Sequence, residues 1–268
     1  MRTASRRKKG KLMRTIAIMN NKGGVGKTVT AINLADILAR DHGKKVVVVD
    51  CDGQANATKI LLPDLDTESG QFLTTADVLT GDCEQVWSDN LHQVHEGLDM
   101  LPSSSGLYDL DLTAILDGNS APEHMMQFVK AARDDADTDF FIFDCPPGWT
   151  VSTVAALISA DEVVIPVTAD AFAVDGASAV MRQVRTIQKR RPGVLATALL
   201  TQVRNAEVVT EVEKLLRFQG VTVFSSRIRR TDKVPESTIK LSPMADYSPR
   251  SVATIGYRAW VRELLCEV

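Results

Sequence analysis

Short, nearly continuous apolar runs recur along the chain at residues 15–19 (TIAIM), 45–50 (KVVVVD), 140–144 (FFIFD), 162–167 (EVVIPV), 194–201 and 221–224. Each is too short for a helix and lacks polar alternation, the pattern of strands covered on both faces in a parallel sheet. Helical periodicity fills the intervals. Ala31, Leu34, Ala35 and Leu38 share one face of a helix that stops at His42-Gly43. Further helical patterns span 120–136, 150–159, 173–190, 205–218 and 250–266. Strands alternating with helices predict an α/β fold: a doubly wound, mostly parallel sheet flanked by helices. Residues 62–120 are less regular and acidic, and short helices with a hairpin are expected there. No internal repeat or low-complexity linker divides the chain. The expected organisation is a basic, disordered arm over 1–13 followed by one domain over 14–268.

Composition narrows the class. The 268 residues are 44% apolar and 24% charged, normal for a globular protein and too apolar for wholesale disorder. No stretch of about 18 uncharged apolar residues is present, so no membrane span is expected. Cys51, Cys83, Cys145 and Cys266 lie far apart without a CxxC, which reads as reduced cytosolic thiols and a cytoplasmic protein. His92 and His95 form an HxxH without further ligands and read as an exposed loop. The net charge of −3 conceals segregation. Residues 1–14 carry +7, 15–181 carry −18 and 182–258 carry +9. A basic third on an acidic body points to a polyanion-facing surface, and the bland alternative is ordinary solvated charge.

The segment after the first strand carries the chemistry. Asn20–Thr28 (NNKGGVGKT) follows a strand and opens a helix. Glycines let successive backbone N–H groups point at phosphate oxygens, and the helix directs its positive end at the same anion. In that reading Gly23, Gly24, Val25 and Gly26 cradle phosphate, Lys27 reaches the β/γ-phosphates, and the Thr28 hydroxyl ligates Mg²⁺. The pattern GxxxxGK[ST] calls for glycine at position 21, where Asn21 stands, and a second lysine, Lys22, lies near the start of the loop. Asp144 ends FFIFD, and Asp50 and Asp52 end KVVVVD, so all three are delivered to one edge of the sheet. Asp144 can hold Mg²⁺ through water there.

These residues resemble the deviant Walker A ATPases of the ParA/MinD group. KGGVGKT (22–28), VVDCDGQAN (48–56) and FIFDCPPG (141–148) resemble that family's three motifs in order, with weaker likeness at LPSS (101–104) and over 247–264. The resemblance implies a P-loop NTPase fold, ATP and Mg²⁺ as cofactors, and a sandwich homodimer in the ATP state. It makes Lys22 the signature lysine, reaching the partner subunit's nucleotide. It leaves Lys27 and Thr28 their P-loop roles and makes Asp52 the residue that orients the attacking water. Asp50 would sit near Mg²⁺ in the first switch, and Asp144 would support the metal and the second. Slow basal turnover is implied until a partner binds. Three departures stand out. Val29 replaces the usual threonine and removes an α-phosphate contact, Gly53 replaces a proline and leaves a looser loop, and DKVPES (232–237) replaces a SEAP-like segment.

Among the relatives, the partition branch fits best. No basic-apolar tail follows the last helix, so a membrane cycle of the MinD kind is not expected. Lys214, Arg217, Arg227, Arg229, Arg230 and Lys233 form the expected DNA surface, the arginines at 227–230 lying just after the last strand. Such contacts give sequence-independent, salt-sensitive binding to duplex DNA. The alternative for these arginines is pairing with the acidic body. The residues that recognise adenine are left open by the sequence, with segments 202–205 and 228–234 the candidates by resemblance. The combined reading is a DNA-partition ATPase, nucleoid-associated when ATP-bound and released after hydrolysis stimulated by a ParB-like partner. The alternative is a DNA-independent, MinD-like ATPase that positions a protein or membrane-associated partner.

Overall fold

The computed structural model describes residues 12–83, 86–117, 121–135, 137–170, 173–204 and 206–266, so residues 1–11 of the expected basic arm lie outside the described residues. Strands and helices alternate from the start: β1 (Arg14–Ile18), α1 (Lys27–His42), β2 (Val46–Asp50), α2 (Asn56–Leu61) and α3 (Thr75–Thr80). A hairpin of β3 (His92–His95) and β4 (Leu98–Leu101) follows, then α4 (Gly106–Asp117) and α5 (Ala121–Asp135). The regular alternation resumes with β5 (Phe140–Asp144), α6 (Val151–Ser159), β6 (Glu162–Thr168), α7 (Ala173–Gln188), β7 (Leu195–Val203), α8 (Ala206–Phe218) and β8 (Thr222–Arg229). Two short helices, α9 (Lys233–Ile239) and α10 (Met244–Tyr247), lead into α11 (Val252–Cys266).

Among the described residues the strands form one eight-stranded sheet ordered β3-β4-β2-β5-β1-β6-β7-β8. Every neighbouring pair is parallel except the β3–β4 hairpin at the edge. The doubly wound expectation is met, and its cause is visible in β2 and β5, where every residue is buried. Successive side chains alternate across the sheet. Ile16 and Ile18 join α1 and α11 in one core layer, with Leu34, Leu38, Trp260 and Leu264. Ala17 and Met19 join the opposite layer with Phe141, Phe143, Val180 and Leu216.

Two expectations need correction. His92 and His95 do not sit in a loop; they lie on β3, where antiparallel pairing with β4 extends the backbone. His95 Nε2 lies 3.1 Å from the buried Asp36 carboxylate of α1. The last strand also runs five residues beyond the apolar run at 221–224, so Arg227 and Arg229 lie within β8 and not after it. Glu263 explains the extension, because its carboxylate accepts from the backbone N–H groups of Ser225 (2.6 Å) and Ser226 (2.8 Å). The ladder with β7 continues past two register shifts on that support.

The edge of the sheet away from the site is tied by one carboxylate. Asp161 Oδ2 accepts from Thr15 N (3.0 Å), Thr15 Oγ1 (2.7 Å) and Arg133 (2.6 Å), while Oδ1 faces Arg191 at 3.3 Å. It thereby joins β1, α5 and the α7–β7 connection. Asp161→Ala removes one acceptor from each of two guanidinium groups and from a backbone donor, and should cost about 2 kcal/mol of stability in urea denaturation. Nucleotide affinity should stay at the wild-type value, because the lesion lies at the opposite strand ends from the phosphate loop.

Candidate active site

The carboxyl ends of β1, β2 and β5 converge on one crevice. The strand order reverses around β1, which lies between β5 and β6, and ligands of open α/β sheets bind at such a point. The loop leaving β1 is held by side chains from neighbouring strands. Asn20 Nδ2 donates to Pro166 O (2.7 Å), and its Oδ1 accepts from Lys22 N (3.0 Å). Thr201 Oγ1 donates to Val25 O (2.9 Å) and Gln202 Nε2 to Gly24 O (2.6 Å). Gly24 (φ 73°) and Gly26 (φ 88°) take the left-handed backbone that lets the loop turn into α1. No side chain caps α1 and no acid lies in its first turn, so its positive end faces the crevice.

Lys27 is buried and donates to the Lys22 carbonyl at 3.1 Å, folded across its own loop. Burial pushes its pKa down, opposed by the charges of Asp144, Cys145 and Asp52. Lys22 is half-buried on the outer lip and turns away from the loop to Asp170 Oδ2 at 2.5 Å.

Asp50 and Asp144 face each other in register on adjacent strands, both out of water. Their environments differ. Asp50 Oδ2 accepts from Thr58 N (2.9 Å) and Thr58 Oγ1 (2.8 Å), and Oδ1 accepts from Asp52 N (3.1 Å). Burial raises its pKa to about 6 against those donors. Neither oxygen of Asp144 has a partner at hydrogen-bond distance. Burial and then the Asp50 charge push its pKa well above the usual carboxylate range, and the nearby Thr28 hydroxyl and Lys27 pull the other way. Two orphaned, buried carboxylate oxygens beside a hydroxyl are a hard-oxygen donor set that fits Mg²⁺. The Asp50 oxygens are engaged in folding the loop that carries Asp52. Asp52 is half-buried and accepts from Gln54 N at 2.9 Å.

Two cavities adjoin the loop. One of about 370 Å³ is lined by Lys22, Gly24, Asp170, Gln202, Arg204 and Arg230. The other, of about 500 Å³, is more apolar and runs from Gly24–Gly26 and Val29 to Ile228, Arg229, Val234, Pro235 and Tyr257.

A family model described as an AAA domain matches residues 13–197. The sporulation initiation inhibitor protein Soj of Bacillus subtilis is 33% identical over 259 residues, covering 93% of this chain and 97% of its own. The chromosome-partitioning ATPase Soj of Thermus thermophilus is 33% identical over 261 residues, covering 96% and 97%. The chain belongs to the ParA/MinD-type P-loop ATPases. A solved structure of cobyrinic acid a,c-diamide synthase from Mycobacterium smegmatis, with bound ATP analogue and magnesium, matches with a TM-score of 0.77. It is 25% identical and covered over 95% of each chain.

This ParA/MinD-type chain distributes its expected DNA-surface residues unevenly. Arg217 and Arg227 both pair with Glu213, at 3.0 and 2.6 Å, and Lys233 pairs with Glu236 at 2.7 Å. Arg229 and Arg230 are exposed but line the larger cavity beside the phosphate loop, and Lys214 is exposed on α8. The resemblance-based adenine segments meet at this cavity through Gln202 and residues 228–232. Thr201 and Asp170, and the loop-holding contacts of Asn20 and Gln202, escaped the sequence reading, because they depend on which strands are neighbours. The expected looseness at Gly53 is also corrected: a Cβ there would lie 2.8 Å from the Tyr108 ring, so an aromatic side chain covers the loop.

The unpartnered Asp144 charge should cost the metal-free protein stability, as functional sites commonly do. Asp144→Asn should therefore stabilise the metal-free protein by about 1–3 kcal/mol. Differential scanning calorimetry should show its midpoint several degrees above wild type, and added magnesium nucleotide should reverse the order.

Proposed function

We propose that this chain is an ATP-dependent DNA-partition ATPase whose nucleotide-bound homodimer holds nonspecific duplex DNA until a ParB-like partner stimulates hydrolysis. The observation that carries the reading is the division of labour between two lysines. Lys27 lies across its own phosphate loop, whereas Lys22 stands on the outer lip with its ammonium against the half-exposed Asp170. A cation so placed can leave Asp170 for a phosphate brought by a second subunit, gaining a charge-assisted bond at a closed, water-poor interface. The chromosome-partitioning name of the Thermus relative supports the biological assignment.

In this scheme the backbone of residues 23–26 and the positive end of α1 bind the triphosphate, and Lys27 neutralises its terminal groups. Thr28 and Asp144 hold Mg²⁺, which when bound screens the charge between the phosphates. Asp52 orients the attacking water. Phosphoryl transfer needs positioning more than covalent chemistry, so an Asp52 loop awaiting a partner gives slow basal turnover. The loops at 50–56 and 144–149 transmit the nucleotide state, and they are already joined: Cys51 N donates to Asp144 O (2.9 Å) and Ser152 Oγ to Cys51 O (2.7 Å). The basic third supplies the DNA surface, with Lys214, Arg229 and Arg230 exposed on it and Arg217, Arg227 and Lys233 partly neutralised by local carboxylates. Among the described residues no helix is long and apolar enough to cross a membrane.

Retention on random-sequence DNA should require ATP and fall steeply with salt, and charge reversal at Arg229 and Arg230 should reduce the slope by roughly one unit per lost phosphate contact. Equal retention without nucleotide would reject the DNA reading. ATP affinity measured on the same variant separates loss of the DNA surface from damage to the neighbouring cavity. Lys22→Ala should bind ATP yet remain monomeric in light scattering, and a normal ATP-dependent dimer from that variant would remove the trans role.

A further inference from the structure

The Asp52 loop carries strain. Ala55 takes φ 53°, in the left-handed region that L side chains rarely adopt. Such a conformation persists only where its surroundings over-determine it. Ser103 supplies one restraint, donating from Oγ to Asp52 O at 2.7 Å. Tyr108 supplies another. A Cβ built on Gly53 would lie 2.8 Å from Cζ and 3.0 Å from each Cε of its ring. The hydroxyl oxygen is not among the three nearest atoms, so the ring lies face-on over Gly53.

Tyr108 sits in the first turn of α4, and that turn is itself anchored. Leu107 is buried in the core, and Ser105 donates to Glu68 through N (2.9 Å) and Oγ (2.5 Å). Ser103 N donates to Thr58 Oγ1 (2.9 Å), the same hydroxyl that donates to Asp50. The ring, about half exposed, is therefore held by a fixed helix against a loop with no side chain at the point of contact. Burial and then the Asp52 charge raise the phenol's pKa, so the hydroxyl stays protonated beside that carboxylate.

We infer that Tyr108 is a positioning residue for hydrolysis, its ring seated on Gly53 to hold the Asp52 loop in one arrangement. This rests on the reading of Asp52 as the water-orienting residue. Gly53 and Tyr108 are a matched pair: a methyl group at 53 displaces the ring, and loss of the ring frees the loop.

Steady-state ATP turnover of the full-length protein tests this with Tyr108→Phe, Tyr108→Ala, Gly53→Ala, the Gly53→Ala/Tyr108→Ala double variant and Asp52→Ala. Tyr108→Ala and Gly53→Ala should each lower kcat roughly 5–10-fold with KM for ATP unchanged, the signature of lost positioning. Tyr108→Phe should keep most of the rate, and the double variant should be no slower than Tyr108→Ala alone. Wild-type kcat in Tyr108→Ala, a raised KM at unchanged kcat, or multiplicative losses in the double variant would each overturn the inference. Normal turnover by Asp52→Ala would instead overturn the underlying role of Asp52. Tyr108 is half exposed, so its truncation leaves the core intact, and unchanged ATP affinity in each variant checks this.

Discussion

Two carboxylates facing one another on adjacent parallel strands, both removed from water, are the constraint around which the site is built. Burial raises the pKa of both, and the Asp50 charge raises that of Asp144 further. Asp50 is relieved by donors from Thr58 and the Asp52 backbone, and in accepting them it folds the loop beyond β2. Neither oxygen of Asp144 has a partner at hydrogen-bond distance, and the nearby Thr28 hydroxyl and Lys27 are what pull its pKa down. In the proposed site a divalent cation held at Asp144 would offset that imbalance.

The same arrangement explains how nucleotide state can reach distant surfaces. The loop after β2 and the loop after β5 share a hydrogen bond, and Ser152 ties the start of α6 to the first of them. A change at Asp144 therefore reaches both loops through short polar contacts, without a long chain of packed side chains. Ser103 and Tyr108 attach the Asp52 loop to α4, which makes α4 a third element that registers its position.

Charge segregation acquires a more specific meaning in three dimensions. The basic third is not one uniform face: Glu213 draws Arg217 and Arg227 together across α8 and β8, and Glu236 holds Lys233. Arg229 and Arg230 stand between the solvent and the cavity beside the phosphate loop. Cations at that boundary can respond to nucleotide and to an external polyanion alike, a placement that a charge tally along the chain does not reveal.

The sequence by itself determined the strand and helix alternation, the phosphate loop with Lys22, Lys27 and Thr28, and the delivery of Asp50, Asp52 and Asp144 to one edge. Those features are local: unbroken apolar runs, glycine spacing and residues at strand ends follow from contacts within a few residues. Only the tertiary structure decided which donors each carboxylate meets, which side chains buttress the loop, and how far β8 extends. Asn20 meets Pro166, Thr201 meets Val25 and Tyr108 meets Gly53 because strand order and helix placement bring distant segments together. Hydrogen bonds and ring contacts across such separations leave no periodic signature in the chain, since their partners are chosen by the packed sheet and not by neighbouring residues.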